Sequence, residues 1–198
     1  NPYMRRVILH QHIFMAIEAI IKNKGFEMNK KRISKGFWVW GQFDRQSEVK
    51  VEAAKEKVNN ALNGPKFESH ITLSGPLLEA NNNTREVLYQ ISNDSLKFTI
   101  YSEGLDYKDR FFQALFIKIK EETELLTLKR QIDTSLKLKS VEYFPHISLF
   151  YGDATSEAKD KIIKKLNSPE ELTLDSISLV DVNEGISSWK VVERFPLK

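Results

Sequence analysis

One four-residue pattern occurs twice in this chain, as His70-Ile71-Thr72-Leu73 and as His146-Ile147-Ser148-Leu149. The surroundings repeat as well. His70 lies 33 residues after Phe37 and His146 lies 34 after Phe112; each Phe opens an aromatic, β-branched run, and a glycine, Gly75 or Gly152, follows each tetrad. An apolar residue at every second position is the period of a strand with one buried face. The duplication therefore predicts two related halves, each placing a histidine and a hydroxyl on one strand face and two aliphatic side chains on the other.

In the first half the pattern predicts strands at 37–43, 68–73 and 96–102, with helices at 48–62 and 84–92. The second half reads strand 112–119, helix 122–138, strand 145–151, helix 156–166 and strands 172–182 and 189–195. The expected fold class is α+β, with two pseudo-symmetric sheet-and-helix lobes of βαβ type, at 36–104 and 105–198, facing a central cleft. Ahead of this domain, residues 1–35 read as an N-terminal helical extension and linker. Apolar positions at helical spacing across 7–22 end at Asn23-Lys24-Gly25, and a charged run follows. Met28 in that run is a candidate start for a shorter chain that keeps both tetrads, and His10 and His12 of the helix read as surface residues.

Composition narrows the function classes. The 198 residues contain no cysteine, which removes thiol nucleophiles, cysteine-based metal sites and disulfides, and fits a reducing, cytoplasmic setting. A net charge of +3 gives no broad electrostatic grip on duplex DNA. The most apolar stretch, 7–21, includes His10, Gln11, His12 and Glu18, so no membrane span is expected. No Gly-x-x-x-x-Gly-Lys-Ser/Thr run occurs, which argues against ATP-driven chemistry.

Two imidazoles across a cleft suit phosphoryl transfer. With an ordinary pKa near 6.5, one ring can accept a proton while the other, protonated, donates one. Thr72 and Ser148 are placed to donate hydrogen bonds to the non-bridging oxygens of a phosphate. No metal or other cofactor is required by this set. A single tetrad fits a strand with a satisfied, partly buried histidine; a matched pair in a chain with four histidines is a stronger signal.

The paired His-apolar-Thr/Ser-apolar tetrads resemble the two-histidine phosphoesterase superfamily, in layout from Gly36 to Lys198. The resemblance implies a bilobal fold and metal-independent chemistry on RNA-like phosphodiesters, with His70, His146, Thr72 and Ser148 as the catalytic set. The aromatic opening Gly36-Phe37-Trp38-Val39-Trp40-Gly41 and the late Glu184 and Trp189 look most like the phage anti-CBASS nucleases. That branch destroys cyclic oligonucleotide signals of bacterial defence, in the host cytoplasm. By this resemblance Trp38 and Trp189 lie beside the substrate and Glu184 reads a base edge. Tyr107 is a further aromatic near a strand end, and aromatic rings stack on bases.

The leading expectation is hydrolysis of a cyclic di- or trinucleotide with 3′-5′ linkages. The alternatives are a phosphodiesterase for 2′,3′-cyclic nucleotides or 2′-5′ oligoadenylate and, in a different class, a nucleotide-binding module without turnover. Whatever the substrate, His70→Ala and His146→Ala are each expected to slow turnover by about 10²–10⁴, the scale of losing one acid or base. Steady-state rates of the two folded variants check this, and near-parental turnover in either removes that ring from the chemistry.

Overall fold

The computed structural model describes residues 34–139 and 141–198. Of the extension and linker expected over 1–35, residues 1–33, with His10, His12 and Met28, lie outside the described residues. The described residues form seven strands and four helices. These are β1 (Phe37–Phe43), α1 (Arg45–Leu62), β2 (Ile71–Leu77), α2 (Asn82–Asp94), β3 (Phe98–Asp106), β4 (Leu115–Ile119), α3 (Thr123–Ser135), β5 (His146–Phe150), α4 (Ser156–Ile163), β6 (Glu171–Asp181) and β7 (Lys190–Pro196).

Local chemistry accounts for where these elements begin. Helix α1 starts three residues before its expected position because the Asp44 side chain accepts a hydrogen bond from the Ser47 backbone N–H at 2.8 Å. It ends at Asn63, in the left-handed region at φ 52°. Val51, Ala54, Lys55 and Val58 form its buried face at helical spacing. Strand β2 runs on through Gly75, where the sequence suggested a turn, because Phe37 of β1 pairs with Leu77 across an irregular stretch of the ladder. Phe112 and Gln113, expected to open β4, instead belong to a single 3-10 turn, Phe111–Gln113.

All strand pairs are antiparallel, in the order β1-β2-β5-β4-β3-β6-β7, so neither half is a parallel βαβ unit. The eleven-residue β6 closes the sheet on itself. Its first residues, Glu171 to Leu174, pair with β3, while Leu174 to Asp181 pair with β1. The strand groups consequently cut across a boundary at 104/105. Strand β3 joins β4 and β5, while β6 and β7 return to β1. The helices exchange as well, with α1 packing chiefly on β5 and α3 on β2. Sequence periodicity marks which face of an element is buried but not which strand it will cover.

Strands β2 and β5 meet at one pair, Ile71 with Ile147. Both side chains are fully buried, as are Leu73 and Leu149, so the alternation expected in the tetrads is present. Removing an aliphatic side chain here leaves a cavity where the halves join. Ile147→Ala is expected to lower unfolding free energy by about 2–5 kcal/mol, measured by urea denaturation.

Candidate active site

The Ile71–Ile147 pairing sets the geometry of the site. In an antiparallel ladder, the residues on either side of a bridge oppose each other in reverse order, which sets His70 across from Ser148 and Thr72 across from His146. Each histidine therefore neighbours the other tetrad's hydroxyl. The row continues outward on both sides, with Trp40 of β1 beside Thr72, and Lys118 and Phe116 of β4 beside His146 and Ser148. Diagonal positions of such a square lie about 7–8 Å apart at Cα.

Both rings are held in the same way. His70 donates from Nδ1 to the Glu68 carbonyl and His146 from Nδ1 to the Phe144 carbonyl, each at 2.8 Å and each two residues upstream. A carbonyl can only accept, so Nδ1 carries the hydrogen and Nε2 is the exchangeable position.

His70 is the more enclosed of the two, at 5 % exposure. Trp40 stacks on it with ring centres 3.6 Å apart and planes within 5°, and Phe67 meets it edge-on. Burial pushes its pKa down to about 3, partly opposed by the bond to Glu68, and the charges of Lys55 and His146 push the same way. His146 is half-buried between Phe116 and Phe144. Burial lowers its pKa too, the Phe144 bond opposes this, and Lys108 adds to the depression.

Buried lysines brace the approach to each histidine. Lys55 of α1 donates to Glu52 at 2.7 Å, to the Phe67 carbonyl and, at 3.5 Å, to Ser69 Oγ, and sits 4.3 Å from the Phe67 ring centre. These bonds flank the Glu68 carbonyl that orients His70. In the other half, Lys129 of α3 pairs with Asp133 at 2.6 Å and lies 5.0 Å from the ring centre of Tyr143. The Tyr143 hydroxyl then donates to the Thr72 carbonyl at 3.0 Å, tying the segment before His146 to the first tetrad. Burial raises the Tyr143 pKa, so it remains a donor.

The residues expected at the site fall in different places. Thr72 and Ser148 share the face with the histidines, the Ser148 hydroxyl donates to the Phe112 carbonyl at 3.4 Å, and burial pushes the pKa of the nearby Tyr151 up to about 12. Trp189 is half-buried and joins Trp40, Phe112 and Tyr151 in one aromatic wall. Trp38 packs beside Gly75 and donates its indole N–H to Lys35, while Trp40 occupies the face of His70. Glu184 is exposed, and its backbone carbonyl accepts from the Trp189 indole. Tyr107 packs against the main core with the buried Lys159 4.8 Å from its ring centre. Sequence reasoning passed over Lys55, Trp40 and Tyr151 as site residues. Trp40 carried the one available signal, its period-2 placement with Trp38. Lys108 stands near His146, 3.7 Å from the Phe144 ring centre.

The profile of the family described as cyclic phosphodiesterase-like protein matches residues 42–197. The cyclic phosphodiesterase of Arabidopsis thaliana is 24% identical over 140 residues, spanning 70% of this chain and 74% of the relative. Among solved structures, TT0787 of Thermus thermophilus superposes with a TM-score of 0.58 at 15% identity, covering 81% of this chain and 97% of that one. E. coli LigT complexed with 3′-AMP gives 0.57 at 12% identity, covering 83% and 98%. The chain belongs to the cyclic phosphodiesterase-like family, within the two-histidine phosphoesterases, and it is a phosphodiesterase.

The depressed pKa of His70 ties folding to pH. As pH falls below 6.5 the unfolded chain binds a proton at this ring, while the folded chain binds none until about pH 3. Protons then favour the unfolded state, and stability is lost across that window. The urea midpoint is expected to fall more steeply from pH 6.5 toward 3 in the parent than in His70→Gln; equal slopes would show that His70 is not the linked group.

Proposed function

We propose that this phosphodiesterase opens a cyclic phosphodiester on a small ribonucleotide, with His70 and His146 moving protons on opposite sides of phosphorus. The observation that carries this reading is the crossed square, in which each tautomer-locked imidazole stands beside the partner tetrad's hydroxyl. A neutral ring with hydrogen on Nδ1 offers Nε2 as the base. The same ring protonated offers Nε2–H as the acid, and the reaction uses one ring in each state. Thr72 and Ser148 donate to the non-bridging oxygens as charge shifts onto them. Lys108 draws the anionic substrate toward His146. A module that only bound nucleotides would have no use for two imidazoles locked in matching tautomers.

The preferred substrate is a 2′,3′-cyclic phosphate. The family description and the Arabidopsis relative's name both specify a cyclic phosphodiesterase, and LigT was solved with a nucleotide bearing a 3′-phosphate. The breadth of the aromatic wall supports a second reading. Around the buried Trp40 and Tyr151, the partly exposed rings of Phe67, Phe112 and Trp189 offer more stacking surface than one base needs, which suits a 3′-5′ cyclic di- or trinucleotide of the kind cleaved by phage anti-CBASS enzymes in a host cytoplasm.

Incubation with 2′,3′-cyclic mononucleotides, cyclic di- and trinucleotides and 2′-5′ oligoadenylate, in excess EDTA and read by mass spectrometry, tests both. Ring opening of the 2′,3′-cyclic substrates that persists in chelator is the expected result. Activity that vanishes with EDTA and returns with a divalent ion would overturn the two-histidine mechanism. Faster cleavage of cyclic oligonucleotides, blocked by 2′-deoxy substitution and leaving a 2′,3′-cyclic phosphate or its hydrolysed monophosphate with a free 5′-hydroxyl, would select the second reading.

A further inference from the structure

Beside His70 the protein has a cavity of about 370 Å³. Its walls include the rings of Trp40, Phe67 and Trp189, two of which also contact His70. The lining combines these rings with charged groups, and the part of a nucleotide that suits such a lining is the base, which stacks on rings and hydrogen-bonds at its edge.

The polar groups in the slot select among bases. Three carboxylates line it, Glu48, Glu52 and Glu68, against the two ammonium groups of Lys66 and Lys190. That balance disfavours a phosphate inside the slot and directs the phosphate toward the histidines and Lys108. Glu52 is engaged by Lys55 and Ser69, and Glu68 accepts from Gln42 at 2.9 Å. Among the described residues, Glu48 makes no side-chain hydrogen bond or ion pair. It stands in the first turn of α1. An ionised carboxylate only accepts, and it accepts best from two adjacent donors. Guanine presents such a pair, N1–H and the 2-amino group. Adenine and cytosine present one amino group, while uracil presents one N–H flanked by carbonyls that a carboxylate repels.

We infer that this slot is a base subsite selective for guanine, with Glu48 as the residue that reads N1–H and the 2-amino group. The inference rests on the proposed nucleotide substrate and identifies which nucleotide the site takes. The nucleoside end then lies on the His70 side of the phosphate. This subsite is separate from the exposed Glu184, to which base reading was assigned from sequence.

Two measurements on the full chain test the inference separately from turnover. The first compares kcat/KM for the 2′,3′-cyclic phosphates of guanosine, adenosine, cytidine and uridine in the parent and in Glu48→Gln. The second titrates 3′-GMP and 3′-UMP against tryptophan fluorescence, which Trp40 and Trp189 report from the slot without any chemistry. A guanine preference over uracil of roughly 10-fold, the scale of a bidentate pair, is expected in both. It should shrink to about 2-fold or less in Glu48→Gln. Equal binding of the two monophosphates, or a preference that survives Glu48→Gln, overturns the inference even if all four cyclic substrates are opened. Guanine-selective binding lost in Glu48→Gln, with no cyclic substrate opened, sustains the base subsite and removes the phosphodiester reading instead.

Discussion

Everything at the face that carries the two histidines depends on one cross-strand contact, the buried pair Ile71 and Ile147. Because each isoleucine sits between the histidine and the hydroxyl residue of its own tetrad, joining the two fixes four side chains at once. A slip of one residue would turn every side chain of one strand to the opposite face. The register is held from outside the pair as well, by Tyr143 on the Thr72 carbonyl and by the Lys129–Asp133 pair, whose carboxylate also accepts from Ser74 of β2.

The two halves use a common device with unequal surroundings. Each ring is tied through Nδ1 to the carbonyl two residues upstream, and each half sets a lysine over the aromatic ring three residues before its histidine. The tryptophan stack belongs to His70 alone, and Lys108 stands on the side of His146. A duplicated framework thus supplies matched geometry, while local burial and charge make the rings different as acids. Such a difference is what a reaction needing one proton donor and one acceptor requires.

Much of this was legible in the sequence, because period-2 alternation and the repeated spacing depend on the chain alone. The tetrads, their buried isoleucines and leucines, and the run of strands and helices follow from those signals. Partner choice does not. Nothing in residues 98–106 or 171–181 announces that β3 joins β4 or that β6 serves two neighbours. The same limit explains the tryptophans, since Trp38 and Trp40 share one strand face and only the position of β2 decides which ring meets His70. Lys55 reads as a solvent-facing charge until Phe67, Ser69 and Glu52 are folded around it.

The exchange of helices between the halves has a consequence for how such a chain can be divided. Helix α1 covers the strand that carries His146, and α3 covers the strand that follows His70. A half-length fragment would therefore expose the apolar back of its own histidine strand and carry a helix with nothing to cover. Two copies of one fragment could satisfy both needs by trading helices, which is the arrangement of a domain-swapped dimer. The single chain amounts to that dimer with its two members joined end to end, so that each half is the folding partner of the other.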